Sequence, residues 1–171
     1  MEKIKARINY ISDGDTINFT NLGNGESFNS RARWIDCPEI KHANQSSDDE
    51  KVLLHWEWGK RSKEFLSSLI PLGFILIIYN YGQDQYGRTI SDWYLGSSAA
   101  KNNIQYQLIA NGLAVPFLPF DRYDWPITRE LTLYKGIIDG TAKAYKGNLG
   151  FWPDYKSGKF LLPREFKKFT I

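Results

Sequence analysis

Three stretches in the N-terminal part of the chain alternate between apolar and polar residues. They are residues 4–11, 17–19 and 31–35. A period of two is typical of half-buried strands, and Asp13-Gly14, between the first two stretches, is a strong turn signal. We therefore predict a strand in each stretch. The third should end near Asp36, because Pro38 cannot donate to a β-ladder.

The rest of the chain combines a predicted hairpin with helical periodicity. Apolar runs at residues 74–79 and 89–95 flank Tyr86-Gly87-Arg88, which predicts a hairpin whose return strand begins at Arg88. Apolar residues at helical spacing predict three helices, near residues 48–70, 102–111 and 127–146. By itself the pattern indicates an α+β fold with an antiparallel sheet.

Charged residues stand at the predicted turns and strand ends. Three carboxylates and two arginines are of chemical interest: Asp15, Asp36, Glu39, Arg31 and Arg88. Carboxylates hold hard divalent cations and activate water, whereas arginine forks bind phosphate oxygens. Each motif taken singly is more typical of a turn or a solvated surface. Their joint occurrence favours metal-assisted cleavage of a phosphodiester.

Six short motifs follow one another along the chain. They are Asp13-Gly14-Asp15-Thr16, Arg31 with Asp36-Cys37-Pro38-Glu39, Trp58-Gly59-Lys60, Tyr86-Gly87-Arg88, Asn111-Gly112-Leu113-Ala114 and Gly150-Phe151-Trp152. Their order and spacing resemble the staphylococcal nuclease (thermonuclease) family over about residues 8–152. The resemblance implies a five-stranded OB-fold β-barrel with about three flanking α-helices. It places this domain at residues 1–152, and a basic C-terminal extension, packed on or trailing from the domain, at residues 153–171.

The resemblance also implies roles for the acidic and basic residues. Asp15 and Asp36 correspond to calcium ligands of the family. Glu39 corresponds to the carboxylate assigned as general base for the attacking water. Arg31 and Arg88 correspond to the two arginines that clamp the phosphate and stabilise charge as it develops.

Further residues enter the expected site through the same resemblance. Cys37 would bind Ca²⁺ through its main-chain carbonyl, so a Cys where the family often has Thr need not abolish binding, although it introduces a thiol. Asp13 and Thr16 would support the ligands, and the alternative for Asp13 is that it only makes the turn. Tyr86 and Tyr123 would approach the nucleotide, since exposed rings can stack on bases. The alternative for aromatic residues in such loops is to cover the edge of the core.

The function that the resemblance implies is that of a calcium-dependent endonuclease, a hydrolase that cuts DNA or RNA with little sequence specificity. Two alternatives stay open. One is a noncatalytic module that binds nucleic acid or protein, although such copies tend to lose the ligands or arginines that are present here. The other is a metal-dependent phosphoesterase for small nucleotides, against which the basic tail argues weakly.

Composition adds constraints on partners and stability. The net charge is +3, with +5 in residues 135–171 and −2 in the rest, which suits a polyanionic partner. A single Cys excludes an internal disulfide. We expect His42 and His55 to pack at the surface or an interface, and Arg33 to be a surface charge. Polar residues interrupt the uncharged stretch 65–83 and nothing resembles a signal peptide, so we expect no membrane partner, and we expect a monomer.

Overall fold

A five-stranded barrel forms the centre of the computed structural model, which describes residues 2–117 and 128–169. The strands of the described residues are β1 (Glu2–Ile11), β2 (Thr16–Asn21), β3 (Ser27–Ala32), β4 (Ile35–Asp36), β5 (Ile75–Gln83), β6 (Thr89–Tyr94) and β7 (Val115–Pro116). The barrel closes in the order β1-β2-β3-β6-β5, while β4 and β7 pair with each other. Its pairs are antiparallel except β3 with β6, so the sheet is mixed and not purely antiparallel.

Five α-helices lie in the same described residues. They are α1 (Glu50–Leu69), α2 (Ile104–Ala110), α3 (Thr128–Lys146), α4 (Trp152–Lys156) and α5 (Pro163–Phe169). The first three correspond closely to the helices that the apolar spacing predicts, and two short helices follow them. Asp49 caps α1, because its side chain accepts from the backbone N–H groups of Lys51 and Val52. The predicted α+β fold with a five-stranded barrel is confirmed.

The barrel interior is filled by apolar side chains that alternate along its strands. Fully buried members include Ile17, Phe19, Leu76, Ile78 and Trp93. The indole N–H of Trp93 donates to Ser30 Oγ at 2.9 Å and Ser91 Oγ at 2.8 Å. Its large ring is therefore buried without leaving the donor unpaired.

The third strand ends earlier than predicted. The alternation covers residues 31–35, but β3 ends at Ala32 and the chain turns at Arg33-Trp34, where Trp34 has φ +73°. Ile35 and Asp36 then pair with β7. A left-handed turn at a bulky residue is uncommon and requires support from the surrounding structure, which a five-residue alternation does not reveal. The turn places Asp36 on a short strand outside the barrel.

The same turn explains why Arg33 is not the surface charge that we expected. Its guanidinium binds both carboxylate oxygens of Asp92, at 2.8 and 3.1 Å, and Glu130 at 2.8 Å. The arginine side chain is only 12% exposed, and its charged group also lies over the ring of Tyr81. Arg33 therefore joins β6 and α3 through a nearly buried ion-pair network.

Close backbone approaches explain the glycines in three of the six motifs. A Cβ on Gly59, in the middle of α1, would lie 2.2 Å from the backbone oxygen of Glu39. Gly112 and Gly150 both have positive φ, and a Cβ on Gly150 would lie 2.0 Å from the backbone oxygen of Gly112. These glycines therefore allow contacts that any side chain would prevent.

The C-terminal segment packs against α1 and the main hydrophobic core. Phe160 belongs to the main hydrophobic core, and Phe166 forms a smaller buried cluster with Val52 and Trp56 of α1. The rings of Phe166 and His55 are stacked with their centroids 3.7 Å apart. Among residues 2–117 and 128–169, no helix combines the length and the apolarity that crossing a membrane requires.

We predict opposite effects for alanine at two mid-helix glycines. Gly59→Ala should lower the free energy of unfolding by roughly 2–3 kcal/mol, because the methyl group overlaps the Glu39 carbonyl and the helix must shift. Gly136→Ala in α3 meets only ordinary van der Waals contact and should raise the free energy of unfolding by about 0.5–1 kcal/mol. Urea unfolding measures both. Equal stabilities for the two variants would contradict the close approach at Gly59.

Candidate functional site

The turn between β1 and β2 positions the first group of candidate residues. Asp13 Oδ1 accepts a hydrogen bond from the backbone N–H of Asp15 at 2.9 Å, which shapes the turn. The Thr16 hydroxyl donates to Asp15 Oδ1 at 3.2 Å. A Cβ on Gly14 would come within 2.9 Å of Cys37 and Ser62. The glycine thus lets this turn pack directly on the chain that follows β4, and it brings Asp15 to that chain.

Arg31, near the end of β3, joins two of the candidate carboxylates. Its Nη1 lies 3.1 Å from Asp15 Oδ2, and its Nη2 lies 2.8 Å from Asp36 Oδ1. The backbone N–H of Cys37 also donates to Asp15 Oδ2 at 2.7 Å. The arginine side chain is 13% exposed, and those of Asp15 and Asp36 are 9% and 5% exposed. The structure therefore brings these residues together at one end of the barrel.

Glu39 lies in the loop that follows β4 and is held by its backbone. Its N–H donates to His55 Nε2 at 2.9 Å, and Gly59 packs against its carbonyl group. The carboxylate itself is 37% exposed, and Glu39 Oε1 lies 3.1 Å from the Lys167 ammonium nitrogen. The same nitrogen lies 3.0 Å from Asp36 Oδ1, so Glu39 and Asp36 share one cation.

Arg88 reaches the same region through strand pairing, but its guanidinium points to a different partner. It precedes Thr89, which pairs with Ser30 next to Arg31. Its Nε binds Asp84 Oδ2 at 2.8 Å within the hairpin turn. Among the ion pairs of the described residues, none joins Arg88 to the candidate carboxylates. The structure therefore brings the strand of Arg88 beside β3 without bringing its charged group into the cluster.

Of the two candidate nucleotide-contacting tyrosines, Tyr86 lies in the described part of the chain. Tyr86 is 74% exposed at the tip of the β5–β6 hairpin, and the Arg88 guanidinium carbon lies 5.6 Å from the centre of its ring. Tyr123 lies outside the described residues. Phe117, the last described residue before Tyr123, is 52% exposed. An exposed ring beside an arginine is suited to stacking against a base.

Comparison with known proteins decides the family of this chain. A family model described as staphylococcal nuclease homologue matches residues 30–154. The chain belongs to the staphylococcal nuclease family. It is also 31% identical over 113 residues to a Haemophilus influenzae protein named an uncharacterized endonuclease. The match covers 66% of this chain and 52% of that protein, so the chain spans about half the length of this curated relative.

Two residues that contact the candidate site in this staphylococcal nuclease family member were not predicted from sequence to belong to it. Lys167 lies beyond the family match and is brought to Asp36 from 131 residues away. We expected His55 to pack at the surface or an interface; it is fully buried where α1 meets the C-terminal segment, and its Nδ1 bonds the backbone oxygen of Leu161 at 2.9 Å. One neutral tautomer, with the proton on Nδ1, satisfies both of its bonds. A lone histidine in a helix and one lysine in a basic tail carry no distinguishing sequence signal.

Burial shifts the pKa values of several groups in the cluster. The pKa of Asp13 rises to about 7, because burial disfavours its charge and Asp15 adds repulsion. Burial also raises the pKa of Asp36, despite the attraction of Arg31. The pKa of the Cys37 thiol is raised well above its usual value, chiefly by burial. Cys37 is therefore expected to stay protonated and to be a poor nucleophile.

The donors present suit a hard cation, although not one held by side chains alone. Within the described parts of the chain, no group of three His, Cys, Asp or Glu side chains forms a site that could hold a metal ion. Carboxylate oxygens of Asp15 and Asp36 and the backbone oxygen of Cys37 are the type of ligand that Ca²⁺ prefers. The Lys167 ammonium, which contacts Asp36 and Glu39, shows that Asp36 can bind a cation. The chemistry of the residues therefore fits an ion whose remaining ligands are water or substrate.

We predict that His55 makes the stability of the protein depend on pH. Its pKa falls from 6.5 to about 4 because it is buried, so between these values the unfolded chain binds a proton that the folded chain excludes. The resulting stabilisation of about 3 kcal/mol is complete above pH 6.5 and is lost as the pH falls towards 4. Urea unfolding of the parent and His55→Gln should differ more at pH 7 than at pH 4.

His42→Gln is the matched control, because His42 is exposed. It should follow the pH dependence of the parent. If His55→Gln also follows the parent from pH 7 to pH 4, the burial of a neutral His55 is not the cause of the acid sensitivity.

Proposed function

We propose that this chain is a calcium-dependent endonuclease that hydrolyses phosphodiester bonds in DNA or RNA with little sequence specificity. One observation carries the proposal. Arg31 bridges Asp15 and Asp36, and Asp36 shares a cation with Glu39, so three carboxylates and an arginine meet at one end of the barrel. Membership of the staphylococcal nuclease family and the endonuclease name of the Haemophilus relative support it.

Glu39 is proposed as the general base. Its carboxylate is the most exposed of the three, so a water molecule can approach it, while the bond to His55 and the contact with Gly59 hold its backbone. A base must be held within hydrogen-bonding reach of the proton that it accepts. The backbone attachment holds the residue in place, and the partly exposed carboxylate, which Lys167 contacts at 3.1 Å, is proposed to orient a water molecule when that contact opens.

Arg31 and Arg88 are proposed to stabilise negative charge on the phosphate. Attack on a phosphodiester places charge on its nonbridging oxygens, and cations already positioned there lower the barrier. Arg31 is held in place by its two carboxylates. Arg88 would have to leave Asp84 to reach the phosphate, so we propose that substrate binding reorients it.

The proposed calcium site consists of Asp15, Asp36 and the backbone carbonyl of Cys37. When bound, the ion supplies positive charge that offsets the charge of the phosphate oxygens. Asp13 and Thr16 would keep Asp15 oriented through their bonds to it.

We propose that Tyr86 stacks on a base next to the scissile phosphate, and that Tyr123 contributes a second aromatic contact. Stacking tolerates any base, which agrees with low sequence specificity.

We predict that Glu39→Gln lowers the rate of plasmid nicking about 100- to 1,000-fold, since the amide cannot accept the proton of water. The assay follows nicking of supercoiled plasmid in Ca²⁺ and then with a chelator, which should stop the parent enzyme. Glu57→Gln is the control, because Glu57 is an exposed carboxylate of α1 that pairs only with Arg61 in the described contacts. Parallel reactions contain RNA and a dinucleotide phosphodiester.

These substrates separate the remaining functions. Binding of nucleic acid that persists in chelator without any cleavage would favour a noncatalytic module. Cleavage of the dinucleotide but not of the polymers would favour a small-molecule phosphoesterase. Parent-like nicking by Glu39→Gln would remove Glu39 from the role of base.

We predict that lysine does not replace either arginine. Arg31→Lys and Arg88→Lys keep the charge but lose the planar fork, so each should lower the nicking rate about 100- to 1,000-fold. Arg7→Lys, on the exposed face of β1, should keep the parent rate. Circular dichroism checks that Arg31→Lys still folds, because Arg31 is nearly buried. Parent-like cleavage by Arg88→Lys would show that Arg88 does not bind the phosphate.

A further inference from the structure

Lys167 in the C-terminal helix α5 occupies the carboxylates that the proposed function assigns to metal and water. Its ammonium nitrogen lies 3.0 Å from Asp36 Oδ1, 3.1 Å from Asp36 Oδ2 and 3.1 Å from Glu39 Oε1. Both oxygens of Asp36 therefore face the same cation. These distances lie within the range of N–H···O hydrogen bonds.

Several contacts of α5 and the preceding chain hold Lys167 in this place. Phe166, the preceding residue, is buried and stacks on His55. The second nitrogen of the same ring, His55 Nδ1, bonds the backbone oxygen of Leu161 at 2.9 Å. Glu165 accepts from the backbone N–H of Leu162 at 2.8 Å and so closes the first turn of the helix. The packed helix therefore fixes the position of the Lys167 backbone, while the lysine side chain is 47% exposed and able to move.

The Lys167 ammonium would repel a divalent cation that approaches Asp36. A divalent ion bound to a carboxylate oxygen of Asp36 would lie within a few ångströms of the ammonium nitrogen, and at that distance two cations repel strongly in a partly buried site. Arg31 already contributes one positive charge to Asp36. The carboxylate cannot retain Lys167 and accept the ion without this additional repulsion.

We propose that Lys167 is a built-in competitor for calcium, and that Ca²⁺ binds only as the ammonium group leaves Asp36 and Glu39. The proposal rests on the proposed calcium site. Residue 167 lies outside residues 30–154, which match the family, so this competition comes from a part of the chain beyond that match. Its consequence is a calcium affinity lower than the ligands alone would give, with activity confined to higher calcium concentrations.

The first test measures calcium affinity by isothermal titration calorimetry, which does not depend on cleavage. Lys167→Met keeps most of the aliphatic length and removes the charge, and it should bind Ca²⁺ at least about tenfold more tightly than the parent. Lys168→Met is the matched control: it removes one positive charge from the neighbouring exposed residue and should keep the parent affinity. Equal or weaker binding by Lys167→Met overturns the proposal.

The second test uses the unaltered protein and therefore does not depend on how a variant folds. A brief pulse of acetic anhydride labels free lysine amines, and mass spectrometry measures the label at each lysine. Adding Ca²⁺ should raise labelling at Lys167 severalfold, because its ammonium is released from the carboxylates, while labelling at Lys168 stays constant. Unchanged labelling of Lys167 at saturating Ca²⁺ overturns the proposal.

The outcomes distinguish this inference from the proposed function. If the parent binds calcium and cleaves DNA but Lys167→Met binds no more tightly, only the competition is wrong. If Lys167→Met binds more tightly and neither protein cleaves nucleic acid, the competition stands and the endonuclease function is wrong. If neither protein binds calcium, both the calcium site and the competition are wrong.

Discussion

The nearly buried guanidinium of Arg31 is the interaction on which the rest of the site depends. It joins Asp15 in the β1–β2 turn to Asp36 in β4, the short strand outside the barrel. Such buried charges are costly to desolvate, and removing one partner typically costs about 3–5 kcal/mol because the others are left unpaired. The same arrangement concentrates acidic groups at the end of the barrel. Stability and chemistry are therefore linked, since the charges that organise the site are those proposed to bind a cation and a phosphate.

Backbone contacts around this ion pair determine where the reactive side chains can point. Gly14 lets the β1–β2 turn pack on Cys37, and Gly59 lets α1 approach the carbonyl of Glu39. His55 binds the N–H group of the same glutamate, and through its second nitrogen it also binds the C-terminal segment. The proposed base is thus fixed by main-chain contacts while its carboxylate stays partly exposed. The C-terminal segment is therefore connected to the site, because the His55 ring bonds both Glu39 and Leu161.

The limits of local sequence patterns are clear at β3 and β4. Alternation predicts one strand over residues 31–35, whereas the structure divides this stretch by a left-handed turn at Trp34. As a result Arg31 and Arg33, two residues apart, enter different ion-pair networks. The extent of α1, by contrast, follows closely from the helical spacing of its apolar residues, because this periodicity acts within a few residues. Arg88 is intermediate: the hairpin is predictable, but the choice of Asp84 as partner depends on the shape of the turn.

The sequence by itself determined the types of element, the α+β class and the set of carboxylates and arginines, because periodicity, turn residues and motif spacing are local properties. Only the tertiary structure decided which of these groups meet. Lys167 contacts Asp36 across 131 residues, and His55 contacts Leu161 across 106. Such pairings follow from the path of the chain after the barrel has closed and the C-terminal helix has packed. The path of the chain determines which charged residues become partners, and a repeating pattern along the sequence does not predict these pairs.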